Sequence, residues 1–176
     1  LAAASTKLKN DALEKIANAL ISSTDKILEA NAKDLEAAAE NNMKQSMQDR
    51  LRLSEERIKG IAKGVRELIA MEDPVGKVES GSIRPNGLQI LKTKVPLGVI
   101  GMIFESRPNV TVDAAVLCLK SGNAVILRGG KEAINSSICL AKIMREAVKS
   151  AGLPGNCIQL VEDTSREIAA EMMKLT

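Results

Sequence analysis

The sequence predicts an α/β protein in which a parallel sheet follows an N-terminal helical region. Three observations predict it. Apolar residues recur at helical spacing through residues 1–72. From Pro96 onward, short continuous apolar runs alternate with helical patterns, the signature of β–α units that lay their strands parallel with right-handed crossovers. The Asp73-Pro74 pair breaks the first pattern and marks the change of character. The chain thus divides into 1–74, 75–95 and 96–176.

In the helical region, Leu13, Ile16, Ala17 and Leu20 fall at i, i+3, i+4 and i+7, a single apolar stripe. Ser22-Ser23-Thr24-Asp25 interrupts that stripe and offers a cap for a second helix carrying Ile27, Leu28, Asn31 and Leu35. The polar stretch from Asn41 to Arg50 reads as a loop or frayed turn. Ser54 caps a third helix, with Leu53 and Ile58 placed as a hydrophobic staple and a stripe running through Ile61, Ala62, Val65, Leu68 and Ile69. Between residues 75 and 95, a Pro85-Asn86-Gly87 turn separates two extended segments, so a β-hairpin is expected.

The remainder reads strand, helix, strand, helix, strand, helix. Val99–Phe104 is a continuous apolar run, as for a strand covered on both faces. Thr111–Leu119 is helical, Ala124–Leu127 is a second strand, and Ala133–Ala151 is a long helix closed by Gly152. Cys157–Val161 is a third strand. Asp163 or Thr164 caps a last helix, Thr164 and Glu167 having capping-box spacing. In such Rossmann-like sheets ligands bind at the carboxyl ends of the strands. That brings Glu105–Asn109, Arg128–Glu132 and Glu162–Ser165 to one edge.

Composition excludes several chemistries. The 176 residues include no His, Trp or Tyr, and one Phe. An imidazole base, a Ser-His-Asp triad and a His-based zinc site are therefore absent from this chain. Stacking recognition of single-stranded nucleic acid is nearly excluded too. The 45% hydrophobic and 27% charged fractions suit a globular domain, and no apolar run has membrane-spanning length. Net charge is +3, and residues 76–176 carry 13 cations against 9 acids. That is too weak for nucleic acid but compatible with a small anionic ligand. Cys118, Cys139 and Cys157 lie in apolar contexts without CxxC spacing and read as reduced, buried residues of a cytoplasmic protein.

Two segments can carry chemistry. In Arg128-Gly129-Gly130-Lys131, two glycines after a strand admit close backbone approach, the next helix aims N–H groups at a ligand, and two cations flank them. A phosphate seat and a plain turn both fit, and neither standard nucleotide fingerprint is present. In Glu105-Ser106-Arg107-Pro108-Asn109, Pro108 forces Arg107 out of helical geometry and displays polar groups at the strand end. Arg107 can pair with a phosphate. Asn109 can donate to an oxyanion or simply cap the next helix.

The runs Val95–Thr111 and Leu117–Gly130 resemble the glutamate-5-semialdehyde dehydrogenases, or γ-glutamyl phosphate reductases, of the aldehyde dehydrogenase superfamily. Ala4-Ser5-Thr6, Asn31-Ala32-Lys33-Asp34, Asp73-Pro74-Val75-Gly76 and Glu162-Asp163-Thr164 support the resemblance. It implies an incomplete cofactor domain of aldehyde dehydrogenase type, with residues 96–176 forming part of an NADP-binding α/β unit. It further implies NADPH-dependent reduction of γ-glutamyl phosphate in proline biosynthesis, through a cysteine thioester. Glu105, Ser106 and Arg107 then face the pyrophosphate and nicotinamide half of NADP(H), and Arg107 and Asn109 become candidate oxyanion or acyl-phosphate contacts. Arg128 stands at the ribose position, Lys131 replaces the Glu of NAD-preferring relatives, and Gly129, Gly130, Asp163 and Thr164 complete the cofactor set.

The resemblance also implies a nucleophilic Cys beyond position 176, since none of the three here matches it, so the fragment alone is expected to be inactive. The parent is expected to be a cytoplasmic homo-oligomer, associated or fused with a glutamate 5-kinase. A non-catalytic α/β nucleotide-binding or assembly module is the alternative, with a helical interaction protein built on residues 1–72 behind it.

Overall fold

A computed structural model describes residues 1–175. Four helices come first: α1 (Thr6–Ser22), α2 (Thr24–Glu40), α3 (Gln45–Leu51) and α4 (Glu55–Ala70). A hairpin of β1 (Val78–Ile83) and β2 (Gln89–Thr93) follows. Then come β3 (Val99–Ile103), α5 (Pro108–Lys120), β4 (Ala124–Arg128), α6 (Ile134–Ser150), β5 (Ile158–Leu160) and α7 (Arg166–Met172). The sheet order is β3-β4-β5, all parallel, with Val99 opposite Ala124 and Val125 opposite Ile158. The expected α/β architecture is therefore present, with the helical region in front of it.

Sequence chemistry accounts for the helix boundaries. Ser5, Ser54 and Ser165 each accept a hydrogen bond from the backbone N–H three residues on, at 3.2–3.4 Å. Leu53 and Ile58 are both buried beside the Ser54 cap, as a staple requires. Three helices end in one backbone device. Met43, Asn123 and Leu153 each donate five residues back, to Ala38, Cys118 and Val148, while Asn42, Gly122 and Gly152 take positive φ. At Gly122 a side chain is doubly barred, because φ is +75° and a Cβ would lie 2.9 Å from Pro96.

The stripe Leu13, Ile16, Ala17 and Leu20 is fully buried and shares one core with Ile58, Ala62 and Val65 of α4, and with Val112, Leu119, Leu140 and Met144 of α5 and α6. The N-terminal helices thus pack on α5 and α6, which in turn lie against β4 and β5 of the sheet.

Several expectations change. Residues 45–51 form a helix instead of a loop, because Leu51 is fully buried against Ala38 and Ala133 and Gln48 donates to the Met43 carbonyl at 2.9 Å. Strand β3 is covered on one side only. Ile100 and Met102 pack on the core, whereas Val99 and Ile103 are exposed. The third strand is shorter than expected, its first residue Cys157 belonging to a 3₁₀ turn. Ser23 holds the cap position of α2 without a side-chain cap bond. The last helix is capped by Ser165 and not by Asp163 or Thr164: helical geometry begins only at Arg166, and Asp163 spends its carboxylate on the Ser165 N–H. Cys118 and Cys157 are buried thiols, but Cys139 is only half-buried.

The hairpin is in place, turning on Gly87 with φ +84°, and both its strands are exposed along their whole length. It joins the rest through Asp73, which binds the buried Lys9 at 2.7 Å, the Thr6 hydroxyl at 2.6 Å and the Val75 N–H at 3.0 Å. Burial works to raise the Asp73 carboxyl, but these three donors outweigh it and hold its pKa at about 2. Asp73→Ala leaves Lys9 buried without a counter-charge, and a loss of about 3–5 kcal/mol is expected in denaturant unfolding. Because the folded value lies below the ordinary 3.8, the stability this carboxylate supplies is whole above 3.8 and is lost as pH falls towards 2. Unmodified protein should show that acid-side decline, and the variant should lack it.

Candidate functional site

The three segments expected at one edge do meet beyond the carboxyl ends of the strands. Strand β3 runs on to the Phe104 N–H, which donates to the Arg128 carbonyl at 3.0 Å. The Ser106 hydroxyl then donates to the Glu132 carboxylate across the loops. The Arg128 guanidinium reaches the third segment, with Nη2 donating to the carbonyls of Thr164 at 2.7 Å and Ser165 at 3.0 Å. The two glycines make this closeness possible. A Cβ on Gly129 would lie 3.1 Å from the Phe104 ring, and one on Gly130 would collide with the Ser106 hydroxyl.

The result is a cleft of about 400 Å³, roofed by Met43, Met47 and Arg50 and floored by Phe104, Ser106 and Gly130. Glu105, Arg107 and Arg128 also line it. Glu105 is exposed, its carboxylate 3.8 Å from Arg107 Nε, so that pair is loose. Gly129 is buried beneath. Asp163 is fully exposed, and the Ser165 N–H and hydroxyl hold its carboxyl below the usual range. Asp163 and Thr164 touch the site through the Ser165 N–H and Arg128 rather than by lining the cleft. Lys131 is exposed and opens on an adjoining cleft of about 530 Å³, which includes Asp34, Asn135 and Glu132.

Asn109 stands apart from this group. Position 107, not 109, is the N-cap of α5, with φ −123° as Pro108 demands. Asn109 lies in the first helical turn and donates to the Asp113 carboxylate at 3.1 Å. It faces a further cleft, between α5 and the α3–α4 connection.

The first turn of α6 is also otherwise employed. Asp34, from α2, accepts from the backbone N–H groups of Asn135 at 3.0 Å and Ser136 at 2.8 Å, and from both their side chains. An internal carboxylate thus occupies the helix end that the sequence offered to a phosphate. The groups left for an anionic ligand lie in the cleft wall: the cations Arg50 and Arg107, and Arg128 Nε, which is buried without a partner. An orphaned guanidinium donor beside glycine backbone fits the phosphate oxygens that a nucleotide cofactor would present there. The three thiols do not suit nucleophilic work, since burial pushes each of them above the ordinary cysteine value.

Sequence reasoning missed Glu132 as the latch and Met43, Met47 and Arg50 as the roof. The signal was present in the helical spacing of Met47 and Leu51, four residues apart and followed by buried Leu53.

A parallel α/β unit with a polar cleft at the carboxyl ends of its strands has the architecture of a nucleotide-binding domain. The chain belongs to the aldehyde dehydrogenase family, whose model matches residues 2–175. It is 57% identical over 175 residues to the gamma-glutamyl phosphate reductase of Caldanaerobacter subterraneus subsp. tengcongensis, covering 99% of this chain. Among solved structures, the gamma-glutamyl phosphate reductase of Thermotoga maritima superposes with TM-score 0.97 at 43% identity over 99% of this chain. That of Saccharomyces cerevisiae superposes with TM-score 0.86 at 35% identity over 93%. The chain spans 42–43% of the length of these relatives. Family membership implies a nicotinamide cofactor.

Gly130→Ala tests the loop geometry. The added methyl group displaces Ser106 and opens the latch to Glu132, and a thermal-unfolding loss of about 1–3 kcal/mol is expected. Gly152→Ala, where a Cβ meets nothing but φ is +95°, costs only backbone strain of about 1 kcal/mol.

Proposed function

We propose that the protein to which this chain belongs reduces γ-glutamyl phosphate to glutamate 5-semialdehyde with NADPH, releasing phosphate, and that residues 96–176 form part of its NADP-binding unit. The observation that carries this reading is the 57% identity to a gamma-glutamyl phosphate reductase across 99% of the chain. The cleft at the strand ends supplies the physical support. Residues 1–74 serve as the helical buttress of that unit and 75–95 as its hairpin.

In this reading Arg107 and Arg128 hold the anionic part of the cofactor, and the Ser106–Glu132 latch sets the spacing of the loops it crosses. When bound, the nicotinamide supplies the hydride. Lys131 faces solvent at the rim of the adjoining cleft, where a cation favours a ribose 2′-phosphate and a carboxylate would favour bare hydroxyls. Asn109 and Arg107 bracket the turn at which the acyl group is polarised. The attacking thiolate comes from outside this set of cysteines, all three of which burial holds protonated at neutral pH. The chain by itself is therefore catalytically silent.

A glutamate 5-kinase, joined or associated, matches a substrate as labile as an acyl phosphate. Self-association through the bare hairpin, which exposes Ile83, Leu88, Ile90 and Leu91, suits a homo-oligomer of the cytoplasm. No helix among the described residues is long and apolar enough to cross a membrane.

The test is phosphate-dependent oxidation of glutamate 5-semialdehyde by the whole protein, followed by NADPH fluorescence. Lys131→Glu should lower the preference for NADP over NAD by about tenfold or more, one lost charge-assisted phosphate contact. Absence of the oxidation in the unmodified protein overturns the reading, and an unchanged cofactor preference overturns the role of Lys131.

A further inference from the structure

We propose that the cleft between α4, the α3–α4 connection and the first turns of α5 binds the amino-acid end of the substrate, with Arg50 and Arg52 on its α-carboxylate and Asp113 on its α-ammonium. The assignment rests on γ-glutamyl phosphate being the substrate and names where the glutamyl group lies.

This cleft, of about 430 Å³, brings together arginines of one segment and Asn109 and Asp113 of another. Its charges are divided but unspent. Among the described residues, no carboxylate pairs with Arg50 or Arg52, and no cation pairs with Asp113, whose only side-chain partner is the Asn109 amide. Cations and an anion that line one cavity without meeting leave a gap of complementary ends, which is what a zwitterion presents. Asp113 and the two arginines stand at the exposed mouth of the cleft, and partial desolvation there raises the Asp113 carboxyl above its ordinary value against the opposing hydrogen bond from Asn109. An arriving ammonium would reverse that shift.

Arg57 has a different task. Its Nη1 donates to the carbonyls of Asp49 at 2.7 Å and Arg52 at 2.5 Å, fixing the turn that carries the other two arginines. The room is supplied by α4. Gly60 and Gly64 lie on its cleft side, one turn apart, and a Cβ on either would meet nothing within 4 Å. Glycine weakens a helix interior, so two of them facing a charged cavity are better explained by space than by folding.

Position completes the case. Arg50 lines both this cleft and the cofactor-side cleft, and the turn Arg107-Pro108-Asn109 passes from one to the other. A γ-glutamyl group carries its acyl carbon two methylenes from the α-carbon. Held here by its head, it points that carbon at the turn shared by both clefts.

The experiment uses the whole protein and three aldehydes in phosphate-dependent oxidation: glutamate 5-semialdehyde, 4-aminobutanal, which lacks the carboxylate, and 5-oxopentanoate, which lacks the amine. Arg52→Gln should raise KM for glutamate 5-semialdehyde about 10- to 100-fold, the worth of one charge-assisted hydrogen bond, with KM for NADP unmoved. It should also erase the preference over 4-aminobutanal, while Asp113→Asn erases the preference over 5-oxopentanoate. Gly64→Leu, which fills the cleft, should raise KM for all three. Equal losses on all three aldehydes in the two charge variants, or no change in KM, overturn the site while leaving the reaction standing. No oxidation by the unmodified protein removes the reaction and the site together.

Discussion

Asp34 sits in the middle of α2 and is almost entirely enclosed, yet among the described residues no cation pairs with it. Its two oxygens take four hydrogen bonds from Asn135 and Ser136, a hundred residues further along, and so serve as the cap that α6 cannot build from its own sequence. Asn31, one turn earlier, extends the clamp. Its amide donates to the Leu51 carbonyl and the Ser136 hydroxyl, and its carbonyl oxygen accepts the Leu53 N–H. One face of α2 thereby sets where α6 begins, where α3 ends and how the α3–α4 connection runs. The two clefts that meet at Arg50 draw part of their walls from these positions: Arg50 and Arg52 from the end of α3 and its connection, and Glu132 from the turn before α6. The helix dipole of α6 is satisfied internally as a consequence, which moves the natural anion seat off the helix axis and into the arginine-lined loops.

Those loops divide the polar work across a single turn. On one side, Arg107, Arg128 and the glycine backbone face a cleft whose donors suit phosphate oxygens. On the other, arginines and a carboxylate stand apart in the manner of an amino-acid receptor. Pro108 gives the turn its abruptness by barring helical geometry at Arg107, and Asn109, one residue further on, spends its amide on Asp113 within α5.

Much of the fold was legible because it is written in local chemistry. The stripe Leu13–Leu20, the Ser54 cap with its staple, the Asn86-Gly87 turn and the glycines that end α5 and α6 all act within a few residues of themselves. What escaped was set by distant neighbours. Residues 45–51 are mostly polar, with only Met47 and Leu51 at helical spacing, and are held helical by Leu51 filling a space beside Ala133. The run Val99–Ile103 is apolar enough for two covered faces, but its pattern cannot report that only one is covered here. Ser165 and not Thr164 caps α7, in a turn fixed from a distance by Arg128, which donates to the carbonyls of both residues. For the site, sequence placed the three segments together correctly and left Asn109 undecided. The latch residue Glu132 had no signature, since a carboxylate reaching a serine across two loops has none.

The long reach of the Asp34 clamp bears on how the chain comes to be folded. Helix α1 leans on α4, which follows within about fifty residues, but also on α6, where Lys15 donates to the Ser150 carbonyl at 2.5 Å. During synthesis the amino-terminal helices therefore emerge with half of their apolar stripes unclaimed, and α2 carries an enclosed carboxylate with nothing yet to cap. Closing so long a loop costs entropy before any contact rewards it. Collapse into a defined arrangement must wait until about residue 150 is free of the ribosome, and for that interval α1 and α2 are the elements most in need of a chaperone.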